Sequence, residues 1–164
     1  MKQNGSVSIV TVWDEVQGND IIRRHTGGEG LLLPILHDLQ ATFGCIPLEA
    51  VPVVAEALNL TRAEVHGVVS FYHDFRDRPA GRHVLKLCRA EACQSMDGEA
   101  VARRALDRFG VEWGGTTPDG NLTIEAVYCL GLCSCGPSAM LDGQPIGRLG
   151  PAAIDEIARE VARP

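Results

Sequence analysis

No apolar run in this 164-residue chain reaches the length of a membrane span, and no apolar h-region marks Met1 to Gly18 as a signal peptide. Positive charge is scarce. The 15 Lys and Arg stand against 21 Asp and Glu, a net charge of −6. That balance is the wrong sign for gripping a phosphate backbone. There is no Walker loop and no Gly-x-Gly-x-x-Gly after a strand pattern, so no nucleotide pocket is evident. No Ser/His/Asp set presents itself, and the absence of C-x-x-C argues against a disulfide reductase. The 5 histidines show neither H-x-x-x-H nor Cys/His spacing, which argues against a His-ligated Rieske cluster. Internal repeats and low-complexity tracts are also missing. With no secretion signal, the expected compartment is a reducing cytoplasm. There, spaced cysteines bind metal or do redox work more often than they form structural disulfides.

What is present is an ordinary globular composition, 45% hydrophobic and 22% charged. The length is enough to bury a core without disulfides. Residues 1–28 are weakly patterned and are expected to form an arm, with at most one short helix over Val10 to Val16. Residues 29–80 carry three helical patterns and are expected to form a small helical bundle. In the first, Leu32, Ile35, Leu36, Leu39 and Phe43 keep helical spacing before Gly44. The second starts near Pro47 and runs through Val51, Val54, Ala55 and Leu58. The third opens on Thr61-Arg-Ala-Glu64, which matches a capping box. Asp77-Arg-Pro-Ala-Gly81 is a breaker cluster and a natural boundary.

Beyond it, residues 81–164 change pattern. His83 to Leu87 reads as a buried strand, Glu99 to Phe109 as a helix, and Leu122 to Tyr128 as an alternating strand. Ser138 to Leu141, Asp142-Gly143 and Gln144 to Leu149 read as a hairpin, and Pro151 opens a last helix. This order predicts an α/β domain: a small mixed sheet flanked by helices, related to thioredoxin-like folds.

Four of the 6 cysteines fall in two short loops, Cys88-Arg-Ala-Glu-Ala-Cys93 and Cys129-Leu-Gly-Leu-Cys133. Each loop follows a predicted strand, where α/β folds place ligands. Thiolates are soft donors that suit iron–sulfur clusters or zinc. A [2Fe–2S] cluster takes two thiolates per iron, here Cys88 with Cys93 and Cys129 with Cys133. Structural zinc also takes four cysteines, so spacing alone leaves it open, although zinc ribbons favour two-residue spacers. Gly131 permits a tight turn that brings N–H toward sulfur. Arg89 either offsets negative charge or is simply solvated. Cys135 reads as a small buried residue beside the site rather than a competing ligand, and Cys45 as helix packing. His66 and His73 read as packing or surface residues. The stretch Val68 to Phe75 is an aromatic patch, either core or a docking face.

Taken together, Cys-x4-Cys followed by Cys129-Leu-Gly-Leu-Cys133 resembles the thioredoxin-like [2Fe–2S] ferredoxins. That family includes the 24-kDa-type subunit of respiratory complex I and its relatives in NAD-reducing hydrogenases and formate dehydrogenases. The resemblance runs from about Leu31 to the C-terminus and includes Gly44-Cys-Ile-Pro47 and Glu64 to Tyr72. Leu33 to His37, Pro79 to His83, Cys88 to Ser95 and Cys129 to Pro137 look most like the gamma subunit of soluble NAD-dependent formate dehydrogenase. Cys45 stands where relatives often have Tyr, and Cys135 is shared with the formate dehydrogenase branch.

The resemblance implies an electron-transfer subunit with one [2Fe–2S] cluster and no complete active site of its own. It implies an alpha subunit that oxidises formate to CO2 at a molybdenum- or tungsten-pterin centre. Further iron–sulfur clusters would lead to FMN in a beta subunit that reduces NAD+ to NADH. This chain would dock on that beta subunit. The equivalent subunit of complex I or of an NAD-reducing hydrogenase is the alternative of the same chemistry, and a zinc-stapled interaction module is the alternative from another class.

Overall fold

The computed structural model describes residues 13–25 and 28–163. The chain divides into two compact units, the first ending at Pro79 and the second resuming at Ala80.

The first unit is helical. Helix α1 (Glu15–Arg24) starts where the Asp14 carboxylate accepts hydrogen bonds from the N–H groups of Val16 and Gln17. The sequence pattern suggests a helix over Val10 to Val16, of which Val10, Thr11 and Val12 lie outside the described residues. The observed helix begins later because Asp14 caps it, and Val16 is left exposed. Its Ile21 and Ile22 are buried in the helical core, within a stretch expected to be an arm.

Helix α2 (Leu32–Phe43) buries Ile35, Leu36, Leu39 and Phe43. It ends at Gly44, whose φ of 76° is the left-handed value that favours glycine. Helix α3 (Ala50–Leu58) starts later than Pro47, after a turn at Leu48 and Glu49. Helix α4 (Arg62–Phe71) has the capping box read from Thr61 and Glu64: the Glu64 N–H donates to the Thr61 hydroxyl at 3.2 Å, and the Thr61 N–H donates to the Glu64 carboxylate at 2.7 Å. The aromatic patch divides. Phe75 is buried beside His37, while Phe71 is 72% exposed.

The second unit is a four-stranded mixed sheet with helices packed on it. Its elements are β1 (His83–Cys88), the one-turn helix α5 (Glu91–Gln94), α6 (Gly98–Phe109), β2 (Leu122–Val127), a 3-10 turn at Cys133–Cys135, β3 (Ala139–Leu141), β4 (Gln144–Ile146) and α7 (Pro151–Val161). The strand order is β2-β1-β3-β4. Strands β1 and β2 are parallel, with α6 in the crossover, while β3 runs antiparallel to both β1 and β4. Leu85, Leu87, Leu122 and Ile124 meet Val101 and Ala105 of α6 and Ile154, Ile157 and Val161 of α7 in one apolar core. Both central residues of the β3–β4 turn, Asp142 and Gly143, have positive φ, as a tight two-residue hairpin requires.

Strand β2 departs from the expected alternation. Thr123 is buried because its hydroxyl accepts from the Gly81 N–H at 2.6 Å and pairs with Thr116 at 2.8 Å. Tyr128, expected to face inward, lies one residue past the strand and is 72% exposed.

Candidate metal centre

Strands β1 and β2 pair in parallel, with Cys88 opposite Val127. Parallel neighbours lie about 4.8 Å apart. The loops that begin with Cys88 and Cys129 therefore leave the same end of adjacent strands.

The first loop is fixed to the sheet. The Cys88 N–H donates to the Ser138 carbonyl at 3.0 Å, and the Arg89 N–H to the Val127 carbonyl at 2.8 Å. Helix α5 then turns the chain back, so that Cys93 is buried along with Cys88. Gly98 makes room for the Cys93 backbone, and Gly136 lies in ordinary contact with its sulfur. A Cβ on Gly98 would sit 2.5 Å from the Cys93 carbonyl oxygen, and one on Gly136 would sit 3.5 Å from the Cys93 Sγ. The Cys93 Sγ lies 3.4 Å from the Ser138 hydroxyl. Arg89 is not freely solvated. Its guanidinium lies 5.0 Å from the Trp113 ring centre and 3.4 Å from the Glu99 carboxylate.

The second loop is shaped by backbone conformation. Cys129 has φ of 113° and Gly131 has φ of 76°. This turn aims the Gly131 N–H at the Cys129 sulfur, 3.3 Å away. Cys133 opens the 3-10 turn and brings its sulfur within 3.8 Å of that of Cys129. Two sulfurs on one tetrahedral metal, with bonds of about 2.3 Å, lie about 3.8 Å apart. Both cysteines are exposed.

Each loop bears on the thiols of the other. Burial works to raise the Cys88 thiol. Hydrogen bonds from the Ala90 N–H, the Cys93 thiol, the Leu130 N–H and the Ser138 hydroxyl outweigh it, so the thiol is held below its ordinary range. Cys133 is pushed up, first by its hydrogen bond with Cys129 and that residue's charge, then by desolvation, then by the charges of Cys93 and Cys88. Like charges this close disfavour joint ionisation, and a bound cationic centre relieves the repulsion. Four thiols and backbone N–H donors fit an iron–sulfur cluster. Among the described residues, no three His, Cys, Asp or Glu side chains close on a single ion position. The Cys129 and Cys133 sulfurs stand 3.8 Å apart, and the Cys88 and Cys93 thiols lie within hydrogen-bond reach of each other.

The other sequence candidates lie elsewhere. Cys135 packs against Gly147, where an added Cβ would come within 3.0 Å of its sulfur, and its carbonyl accepts from the Arg148 N–H at 2.6 Å. Cys45 is buried in the helical unit, and His66 and His73 are exposed. Sequence reasoning misses α5, Gly98, Gly136 and Ser138. Helix α5 is a single turn, too short for periodicity to reveal, and Gly98, Gly136 and Ser138 act through close contacts that no spacing rule signals. Among the described residues, no helix is long and apolar enough to cross a membrane.

Comparison with known proteins shows the family. The profile of the thioredoxin-like [2Fe–2S] ferredoxins matches residues 18–162. The chain is 32% identical to the HndA component of the NADP-reducing hydrogenase of Solidesulfovibrio fructosivorans over 132 residues, covering 80% of this chain and 77% of that one. It is 32% identical to the E component of the NADH-quinone oxidoreductase of Mycobacterium bovis over 143 residues, covering 87% of this chain and 57% of that one. The fold superposes on a chain of the NAD+-reducing [NiFe]-hydrogenase in its air-oxidized state, with TM-score 0.67 and 25% identity, covering 79% of this chain and 22% of that one. The profile match extends from the first helix to the last, so the chain belongs to the thioredoxin-like [2Fe–2S] ferredoxin family, whose members carry one [2Fe–2S] cluster.

Proposed function

We propose that Cys88, Cys93, Cys129 and Cys133 hold one [2Fe–2S] cluster and that the chain is an electron-transfer subunit of an NAD(P)-linked oxidoreductase complex. The observation that carries this reading is the in-register parallel pairing of β1 and β2, which puts both cysteine loops at one sheet end. Once bound, the cluster supplies one-electron storage between a two-electron carrier and one-electron partners. Cys88 and Cys93 anchor it from the core. Cys129 and Cys133 hold its solvent edge, and Tyr128 lies exposed beside them. The N–H groups of Ala90, Leu130 and Gly131 point at sulfur and favour negative charge there.

The finer reading is the gamma subunit of a cytoplasmic NAD-dependent formate dehydrogenase. It rests on the loop residues around Cys88 and Cys129 and on Cys135. Its partners would be an FMN/NAD-binding beta subunit and a molybdenum- or tungsten-pterin alpha subunit. The similarity to the hydrogenase and NADH-quinone oxidoreductase components favours a second reading, the corresponding subunit of a hydrogenase or of complex I.

Purification of the native complex separates these readings. A brown protein with a reducible [2Fe–2S] EPR signal, co-purifying with FMN, molybdenum or tungsten and formate-dependent NAD+ reduction, is expected. Hydrogen- or quinone-linked activity without formate oxidation overturns the formate assignment. A colourless chain with stoichiometric zinc overturns the cluster itself.

A further inference from the structure

Among the described residues, the buried polar side chains are Thr123 and Ser138. Their hydroxyls are used differently. Thr123 pairs with a backbone N–H and with Thr116, so its polar atom is fully accounted for by local structure. Ser138 is 2% exposed, and its hydroxyl meets sulfur: Cys93 Sγ at 3.4 Å and the Cys88 thiol. A neutral thiol is a weak partner, and a buried hydroxyl with only weak partners is costly. A thiolate bound to a metal carries negative charge and is a far better acceptor. Ser138 would thus gain a better partner if these cysteines carried a metal.

The backbone fixes this placement. Leu87 pairs with Ala139 across the antiparallel β1–β3 ladder. The next pair outward is Cys88 and Ser138, joined by the Cys88 N–H to Ser138 carbonyl bond of 3.0 Å. The residue facing Cys88 is thus held in register by the sheet, and its side chain reaches the buried cysteine pair.

We propose that Ser138 is a positioning residue for the electron-transfer site, whose hydroxyl donates its one proton into the buried sulfur pair, with Cys93 Sγ at 3.4 Å, and raises the reduction potential of the group that pair binds. This rests on the four-cysteine cluster reading. The sign follows from charge: reduction adds negative charge to the sulfur shell, so a donor there favours the reduced form.

The test is Ser138→Ala in the full chain, with the cluster reconstituted and its potential followed by EPR-monitored titration. Ser138→Ala is expected to remain brown, with its ratio of reduced to oxidised cluster at fixed ambient potential lowered by about tenfold, equivalent to ~59 mV for one electron. One exchangeable-proton coupling to the reduced cluster should disappear in deuterium-exchanged samples. Ser138→Cys is slightly larger and donates more weakly, and its potential should fall between the two. If Ser138→Ala does not hold a cluster, Ser138→Cys decides alone. A brown variant with unmoved potential and unchanged proton couplings overturns the proposal. A colourless wild-type chain overturns the cluster reading instead, so the two failures are distinguishable.

Discussion

The two cysteine loops each carry a pair of thiols but are built differently. In the first, Cys88 and Cys93 are buried and are held by the sheet, by Ser138 and by the space that Gly98 leaves. In the second, Cys129 and Cys133 are exposed and are placed by the left-handed turn at Gly131 and a single 3-10 turn. One half of the site is thus continuous with the hydrophobic core, and the other half is nearly all backbone conformation. Anchoring needs a rigid, dry contact, whereas electron exchange with a partner needs an edge that the partner can approach. A single centre can meet both needs only if its halves differ in this way.

The hardest test of this contrast is ligand replacement. Cys88→Ser and Cys93→Ser should abolish the cluster, because a harder oxygen ligand in a close-packed pocket cannot shift to recover bonding distance. Cys129→Ser and Cys133→Ser should retain part of the iron with an altered visible spectrum, because their loop can adjust. Equal loss at all four positions, by iron analysis, breaks the comparison.

Alkylation of the metal-free chain gives the next largest effect. Iodoacetamide should modify Cys129 and Cys133 about tenfold faster than Cys88 and Cys93, since thiol reactivity needs access as well as thiolate. The Cys133 thiol is held above its ordinary range, so its rate should keep climbing as pH rises. Peptide mapping after brief labelling checks both statements. Early modification of Cys93 would show that the buried half opens in the metal-free state.

Two glycine substitutions probe the same contrast through stability. Gly98→Ala would force a Cβ to within 2.5 Å of the Cys93 carbonyl, a backbone atom with little freedom to yield. Overpacking of this kind costs about 1–3 kcal/mol. Gly131→Ala meets nothing within 4 Å, but must hold φ of 76°. That conformation costs an L-residue about 1 kcal/mol. Thermal melts of the metal-free protein should therefore rank Gly98→Ala below Gly131→Ala, and the reverse order would place the rigid part of the site in the second loop.

The same division separates what can be read in the sequence from what cannot. Strands β1 and β2, helices α2, α6 and α7, and the Asp142-Gly143 turn follow local periodicity and turn chemistry, which one sequence displays. The cysteine loops are legible because their spacing is local, and Gly131 because it lies inside one of them. Helix α1 is harder to place because its start depends on a single cap, Asp14, in a weakly periodic stretch. Thr123 escapes the strand pattern because its burial depends on Thr116 and Gly81, which the fold brings beside it. Ser138, Gly98 and Gly136 give no signal for the same reason: their partners are distant in sequence or are backbone atoms.

Cys135 provides the finest discrimination. It follows Cys133 by two positions, so spacing alone allows it to replace that ligand. In the structure its sulfur lies against Gly147 and its carbonyl accepts from the Arg148 N–H at 2.6 Å, which ties it to the segment after β4. Cys135→Ala removes one half-buried sulfur and leaves that backbone bond in place. The variant should keep its full iron content and visible spectrum, and should lose no more than about 1 kcal/mol of stability. Cys133→Ala, by contrast, should disturb the cluster. If Cys135→Ala loses the cluster while Cys133→Ala keeps it, the exposed half of the site is Cys129 with Cys135. The second loop would then have to close around a longer turn than the 3.8 Å approach of Cys129 and Cys133 requires.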